Sequence, residues 1–144
     1  MLGIENVNHV GIRISDKATS IGFYQTLGFE LKTDVGFDEG HPVIMKHASG
    51  VVLNLLGPAT VADNSNILMD VDDKYTGITH FALTVSSLDD AKTFMADQDI
   101  KITGSFSFGA MSAIFIRDPD RNVIELDAYT AGDPNQDGDY AEHP

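Results

Sequence analysis

Residues 7–14 alternate, with Val10, Ile12 and Ile14 on one face and His9, Gly11 and Arg13 on the other. This is the two-residue period of a strand with two different faces. Its apolar face calls for a helix. Ser15 and Asp16 can cap one, Ile21, Tyr24 and Leu27 follow at helical spacing, and Gly28 supplies a left-handed stop. Strands are expected at 29–32, around 42–47 and, after a turn at Ala48-Ser49-Gly50, at 51–56. The first unit is therefore strand, helix and three strands.

Between 57 and 77 the pattern lapses into scattered Asn, Asp and Pro with one short apolar run, Ile67-Leu68-Met69, and reads as a connector. The same order then resumes. A strand is expected at 78–85, then a helix opened by Ser87-Leu88-Asp89-Asp90 with Leu88, Ala91, Phe94 and Met95 inward. Further strands are expected at 100–102, 113–117 and 122–129. His80 lies 71 residues after His9, and the same offset carries Phe23 onto Phe94, Ile44 onto Phe115, Val52 onto Val123, Leu53 onto Ile124 and Leu55 onto Leu126. One unbroken register implies a duplicated unit. It also sets Asn54 against Glu125.

The expected organisation is one domain over 1–130, made of a module at about 5–57, a connector at 58–77 and a module at about 78–130, with a flexible acidic tail at 131–144. In the tail, Asp133, Asn135, Asp137 and Gly138 imitate the start of a calcium loop, but Pro144 stands where a glutamate is needed. Nine basic against 22 acidic residues give a net charge of −13, which repels phosphate backbones and anionic lipid and argues against nucleic-acid or membrane partners. The absence of cysteine removes disulfides, thiolate metal sites and cysteine nucleophiles. No run approaches the roughly 20 apolar residues of a membrane span, and Met1 to Glu5 lacks the pattern of a signal peptide. The expectation is a cytoplasmic protein.

Candidate chemistry rests on His9 and His80, at matched places in the two modules, and on Glu125 in the last strand. Each histidine is expected to face inward beside a small residue, Gly11 or Ala82, which leaves room for a ligand. Two imidazoles and one carboxylate on one side of a divalent ion leave positions open for water and substrate, an arrangement suited to catalysis. Each residue alone reads more simply, a strand histidine as a bonded core residue and Glu125 as an edge carboxylate. His41, His47 and His143 are read as surface residues. Phe106, Phe108, Met111 and Phe115 either line an apolar wall or belong to the core.

The chain resembles the vicinal oxygen chelate superfamily, which includes glyoxalase I, extradiol dioxygenases, methylmalonyl-CoA epimerase, fosfomycin-resistance transferases and bleomycin-resistance proteins. The resemblance covers about residues 5–130. It is carried by Asn8-His9-Val10-Gly11-Ile12-Arg13-Ile14-Ser15-Asp16, Phe23-Tyr24-Gln25-Thr26-Leu27-Gly28-Phe29, Thr79-His80-Phe81-Ala82-Leu83, and the stretch from Arg117 to Leu126. It implies an α+β fold, two tandem βαβββ modules forming an open mixed-sheet barrel around a cavity, often as a homodimer. It also implies one divalent metal (Ni, Co, Zn, Mn or Fe(II)) on His9, His80 and Glu125. Glyoxalase I usually adds a glutamate where this chain has Asn54, a weak fourth ligand at most. Arg121 occupies a turn slot that is normally glycine in this superfamily.

Three functions follow as expectations. The first is a glyoxalase I-like lyase or isomerase, working through a metal-chelated enediolate with Glu125 as the catalytic proton carrier. The second is an extradiol-type Fe(II) dioxygenase. The third is a small-molecule binding protein like those for bleomycin. Arg13, Asn54 and Phe115 are the expected substrate contacts. A guanidinium at Arg13 favours an anionic group on the substrate, unless it is spent on Asp127 or another carboxylate. A fosfomycin transferase lacks support, because its potassium loop and basic phosphonate contacts are missing.

Overall fold

The computed structural model describes residues 1–61 and 65–138. The chain divides into two compact units, Met1–Asn66 and Ile67–Pro144. In the first, strand β1 (Val10–Arg13) is followed by helix α1 (Lys17–Thr26) and strands β2 (Phe29–Thr33), β3 (Val43–His47) and β4 (Val52–Leu56). In the second, β5 (His80–Thr84), α2 (Leu88–Asp97), β6 (Gly104–Phe108), β7 (Met111–Arg117) and β8 (Val123–Tyr129) precede a short helix α3 (Pro134–Asp137). Each unit holds one four-stranded mixed sheet, ordered β1-β4-β3-β2 and β5-β8-β7-β6. The fold is α+β, built from two tandem βαβββ modules.

The duplication extends to the hydrogen-bonded ladders. Gly11 pairs with Asn54 in the parallel β1–β4 ladder, and Ala82 pairs with Glu125 in the parallel β5–β8 ladder, both residues displaced by 71. Ile44 opposite Asn54 becomes Phe115 opposite Glu125. Helix α1 and helix α2 are displaced by the same 71 residues at both ends. Their starts have one physical cause: Asp16 accepts from the Thr19 amide, and Ser87 accepts from the Asp90 amide. Gly28 closes α1 at φ 98, a conformation that a side chain would strain.

Each sheet buries one face. Ile12, Leu53, Leu55, Val43 and Met45 form the core of the first unit with Tyr24 of α1, all fully or nearly buried. Ile114, Ile116, Ile124 and Leu126 do the same in the second unit with Met95 of α2. Period-two alternation leaves Gly11, Arg13 and Asn54 on the opposite face of the first sheet, and His80, Ala82, Glu125 and Phe115 on the opposite face of the second.

Several expectations need correction. The first strand begins at Val10, so His9 lies just before it rather than within it. No strand forms at 100–102; β6 starts at Gly104. The register explains this, because Gly104 pairs with Phe115, and residues before it would face the end of β7, where Asp118 already begins a turn. Carried back by 71, that pair is Thr33–Ile44, the last rung of the β2–β3 ladder. The second hairpin therefore occupies the place where the first unit has the loop 34–42, which contains an unforeseen 3-10 turn (Phe37–Glu39) with buried Phe37. Phe94 was expected inward on α2, yet it is 37 % exposed, while Met95 is buried. His47 is half-buried, its ring 5.4 Å from that of Phe29 and its Nδ1 2.7 Å from Ser49 Oγ. Residues 134–137 of the expected flexible tail are helical, and His143 and the end of the calcium-like spacing lie outside the described residues.

Candidate functional site

The open face of the second sheet collects the chemistry. His80 opens β5, and Glu125 lies on the neighbouring β8, level with Ala82, so its side chain and the imidazole share one face. His80 Nε2 is 4.0 Å from Glu125 Oε1. The Phe115 ring stands edge-on to the imidazole with centroids 6.2 Å apart, and Phe115 is the cross-strand partner of Glu125. Inward-facing histidines were expected, but the His80 side chain is 38 % exposed and His9 is exposed as well.

Both histidines are held in the same manner by the residue before them. His9 Nδ1 is 2.7 Å from Asn8 Oδ1, and His80 Nδ1 is 2.9 Å from Thr79 Oγ1. With Asn8 Oδ1 as acceptor, Nδ1 of His9 carries the hydrogen and Nε2 keeps its lone pair. That is the tautomer a metal-ligating histidine uses when its other nitrogen is fixed by a neighbour. The side chains of Asn8 and Thr79 had no assigned role in the sequence reading, and their signal was positional: each directly precedes a matched histidine.

Glu125 is 15 % exposed at its side chain and sits beside Asp127, which is 5 % exposed. Burial pushes the Glu125 carboxyl above the ordinary glutamate range. A hydrogen bond with Asp127 and the Asp127 charge push it further, and His80 partly offsets them. Thr84 donates to Asp127 Oδ1 at 2.7 Å, which fixes this second carboxylate from β5. Two residues further along β8, Tyr129 is raised by burial and by the charges of Asp127, Asp133 and Glu125. The β8 strand thus carries a row of acidic groups on one face. Sequence reasoning used Asp127 only as an alternative partner for Arg13 and missed its contact with Glu125, although i, i+2 spacing on a strand requires a shared face.

The turn before β8 sets this geometry. Buried Asp118 accepts from the Asp120 amide at 2.9 Å, the Asn122 amide at 2.8 Å and the Asn122 side-chain amide at 2.9 Å. Arg121 occupies the normally glycine position at φ 66, as its slot in the turn motif suggested. Its side chain supplies a compensation: Nε bonds Asp70 Oδ2 at 3.1 Å, while Arg117 grips Asp70 through two bonds of 2.9 and 3.0 Å. This clamp secures the 67–73 turns to the β7–β8 corner.

The donors fit a divalent ion in part. His80 Nε2 and Glu125 Oε1, 4.0 Å apart, stand wider than the roughly 3.0–3.4 Å between neighbouring ligands at about 2.1 Å from one ion, so a bound ion would draw the two side chains closer. The buried carboxylate pair is also an environment that a cation relieves. Among the described residues of either unit, no group of three or more His, Asp and Glu is already drawn together for a metal. His9, Arg13 and Asn54 belong to the first unit, where Asn54 lies beside Gly11 and is half-buried.

The model of the Glyoxalase/Bleomycin resistance protein/Dioxygenase superfamily matches residues 6–126. The chain belongs to this superfamily. Solved structures agree on the fold. A glyoxalase/dioxygenase from Nostoc punctiforme is 20 % identical with a TM-score of 0.70, covering 88 % of this chain and 92 % of its own. A lactoylglutathione lyase from Agrobacterium tumefaciens is 19 % identical with a TM-score of 0.64, covering 88 % and 96 %. An antibiotic-binding protein from Streptomyces is 19 % identical with a TM-score of 0.66, covering 90 % and 100 %. No curated protein matches the sequence. The superfamily includes enzymes and binding proteins that act on small molecules. No helix among the described residues is long and apolar enough to cross a membrane.

Proposed function

We propose that this protein is a metal-dependent small-molecule enzyme of the superfamily, with lyase or isomerase chemistry of the glyoxalase type. The observation that carries the reading is the pairing of His80 with Glu125, the imidazole held through Nδ1 and the carboxyl raised by burial and by Asp127. His80 and Glu125 are the proposed ligands in the second module, with His9 as the matching donor of the first and Asn54 as a weak further one. A divalent cation on these donors supplies Lewis acidity toward two adjacent oxygens of a substrate.

The chain's own residues supply the rest. Glu125, with its increased affinity for a proton, accepts one at a carboxylate oxygen and returns it to a neighbouring carbon. Thr84 holds Asp127, and Asp127 in turn keeps Glu125 basic. Phe115 stands edge-on against one side of the His80 ring. Arg13, exposed on the open face of β1, is the proposed contact for an anionic group of the substrate.

A second reading is an Fe(II) dioxygenase of the extradiol type. It is favoured by Asn54, which leaves two histidines and one carboxylate, the facial triad of such enzymes. A binding protein without chemistry is the third.

Metal analysis of protein purified without chelator, combined with turnover of a glutathione adduct of a 2-oxoaldehyde and of a catechol under oxygen, separates the readings. Ni(II), Co(II) or Zn(II) with isomerisation of the adduct supports the lyase. Oxygen-sensitive Fe(II) with ring cleavage supports the dioxygenase. A metal-free protein whose ligand affinity is unchanged by His80→Ala contradicts both and leaves the binding protein.

A further inference from the structure

Residues directly opposite one another on neighbouring strands share a face, so the second sheet carries its side chains in rows. The row through the candidate site runs Ala82, Glu125, Phe115, Gly104. The next runs Thr84, Asp127, Ala113, Phe106, and the one after it Tyr129, Met111, Phe108. Phe106 and Phe108 therefore project from the same face as Glu125, two strands away. Phe106 is 50 % and Phe108 59 % exposed, and their rings stand 6.4 Å apart with 13° between planes.

The duplication supplies an internal comparison. Phe37, 71 residues before Phe108, is buried within the first unit. On the open face of the first sheet, the two outer strands set Glu30 opposite Lys46. The second sheet has no such charges on its outer strands, because no charged side chain occurs between Lys101 and Arg117. Its face grades from carboxyl groups on β8 to bare aromatic rings on β6, and contiguous exposed apolar surface beside a polar site marks a place where a ligand lies.

We propose that Phe106 and Phe108 form an aromatic wall that holds the flat, uncharged end of the substrate, whose two adjacent oxygens lie at His80 and Glu125. The proposal rests on the reading of that pair as the oxygen-binding end of the site. Ring geometry selects the shape of the ligand, because a planar conjugated group meets two nearly parallel rings together in the stacked or edge-on contacts that aromatic groups favour. Strand spacing selects its length. At about 4.8 Å per strand, β6 is about 10 Å from β8, and one row along the strand brings the separation of Phe106 from Glu125 to about 12 Å at the backbone. Two joined rings reach across that distance and one ring does not. The substrate class is an extended aromatic compound with vicinal oxygens at one end.

Two probes with the same head test this: catechol and 4-phenylcatechol, titrated under nitrogen into the full chain by calorimetry. Wild type is expected to bind 4-phenylcatechol at least about tenfold more tightly than catechol. Phe106→Ala and Phe108→Ala are expected to remove most of that gap and leave the catechol affinity unchanged, whereas Phe94→Ala, on α2 and outside the sheet, keeps the gap. The chain has no tryptophan, so Phe106→Trp supplies a single reporter, whose emission is expected to shift with 4-phenylcatechol at concentrations where catechol leaves it unchanged. Repeating the titrations with chelator separates this proposal from the metal reading: affinities that chelator does not alter contradict the metal, while a gap that still depends on Phe106 and Phe108 upholds the wall. Failure of 4-phenylcatechol to bind, the absence of a gap in wild type, or a gap that both phenylalanine variants retain overturns the proposal. A Phe106→Trp emission that follows protein concentration and not 4-phenylcatechol assigns the rings to a second copy of the chain and overturns it as well.

Discussion

His80 Nε2 faces Glu125 Oε1 at 4.0 Å, although the two residues are 45 positions apart in the chain. The parallel ladder that pairs Ala82 with Glu125 makes this approach possible. The contact joins an imidazole already held through Nδ1 to a carboxyl that burial keeps above its ordinary range.

That raised carboxyl predicts a pH signature. The fold favours protonated Glu125, so its contribution to stability is complete below the unfolded value, about 4.3, and is lost as pH rises through the higher folded value. Glutamine at this position has no such loss. In chelator-treated protein, Glu125→Gln is expected to melt at a higher temperature than wild type at pH 7, and the difference should vanish at pH 3.5. A difference that stays constant across that range would contradict the burial-driven shift.

Thr84 and Asp127 predict a stability loss. Their 2.7 Å bond satisfies one oxygen of a carboxylate that is almost fully buried. Thr84→Val keeps the shape and removes the donor, at a cost of about 1–3 kcal/mol. Urea denaturation should show a lower midpoint with an unchanged slope, and a midpoint equal to wild type would show that the bond contributes nothing.

The two halves of the chain differ in how much their sequences disclosed. The 71-residue offset was visible because matched apolar positions recur, and the ladders carry it rung for rung from Gly11–Asn54 to Ala82–Glu125. The caps at Asp16 and Ser87 were legible because a short polar side chain before a helical pattern has few other uses. The strand expected at 100–102 precedes the ladder to β7, which starts only at Gly104–Phe115. The partnership of Asp127 with Thr84 and Glu125 was missed because it depends on the cross-strand register, and period-two spacing alone does not identify the hydroxyl that meets it. The reason Arg121 tolerates a glycine-like slot lay in Asp70, 51 residues away.

That clamp is itself testable. Arg121→Gly relieves a positive φ, worth about 1 kcal/mol, and loses one bond to Asp70, so the two effects nearly cancel. Asp70→Ala loses the bonds that both arginines make to its carboxylate, with no backbone relief. Thermal melts should therefore rank Asp70→Ala well below wild type and Arg121→Gly close to it. The reverse order would contradict the compensation.

Ser20 offers a gain. It is fully buried on α1, and its hydroxyl has no hydrogen-bond partner among the described residues. Ser20→Ala removes an unsatisfied polar atom, whose burial costs about 1–3 kcal/mol, and favours the helix. Calorimetry should show a higher melting temperature, and a lower one would mean that the hydroxyl is satisfied in solution.

The central claim is that His80 and Glu125 are donors to one divalent ion, and equilibrium dialysis against Ni(II), Co(II), Zn(II) and Mn(II) at pH 7 tests it most directly. The account predicts one ion bound per chain, with affinity lowered at least about tenfold by His80→Ala and by Glu125→Gln and unchanged by His41→Ala. Equal binding by wild type and both site variants, or no binding by wild type, would contradict it.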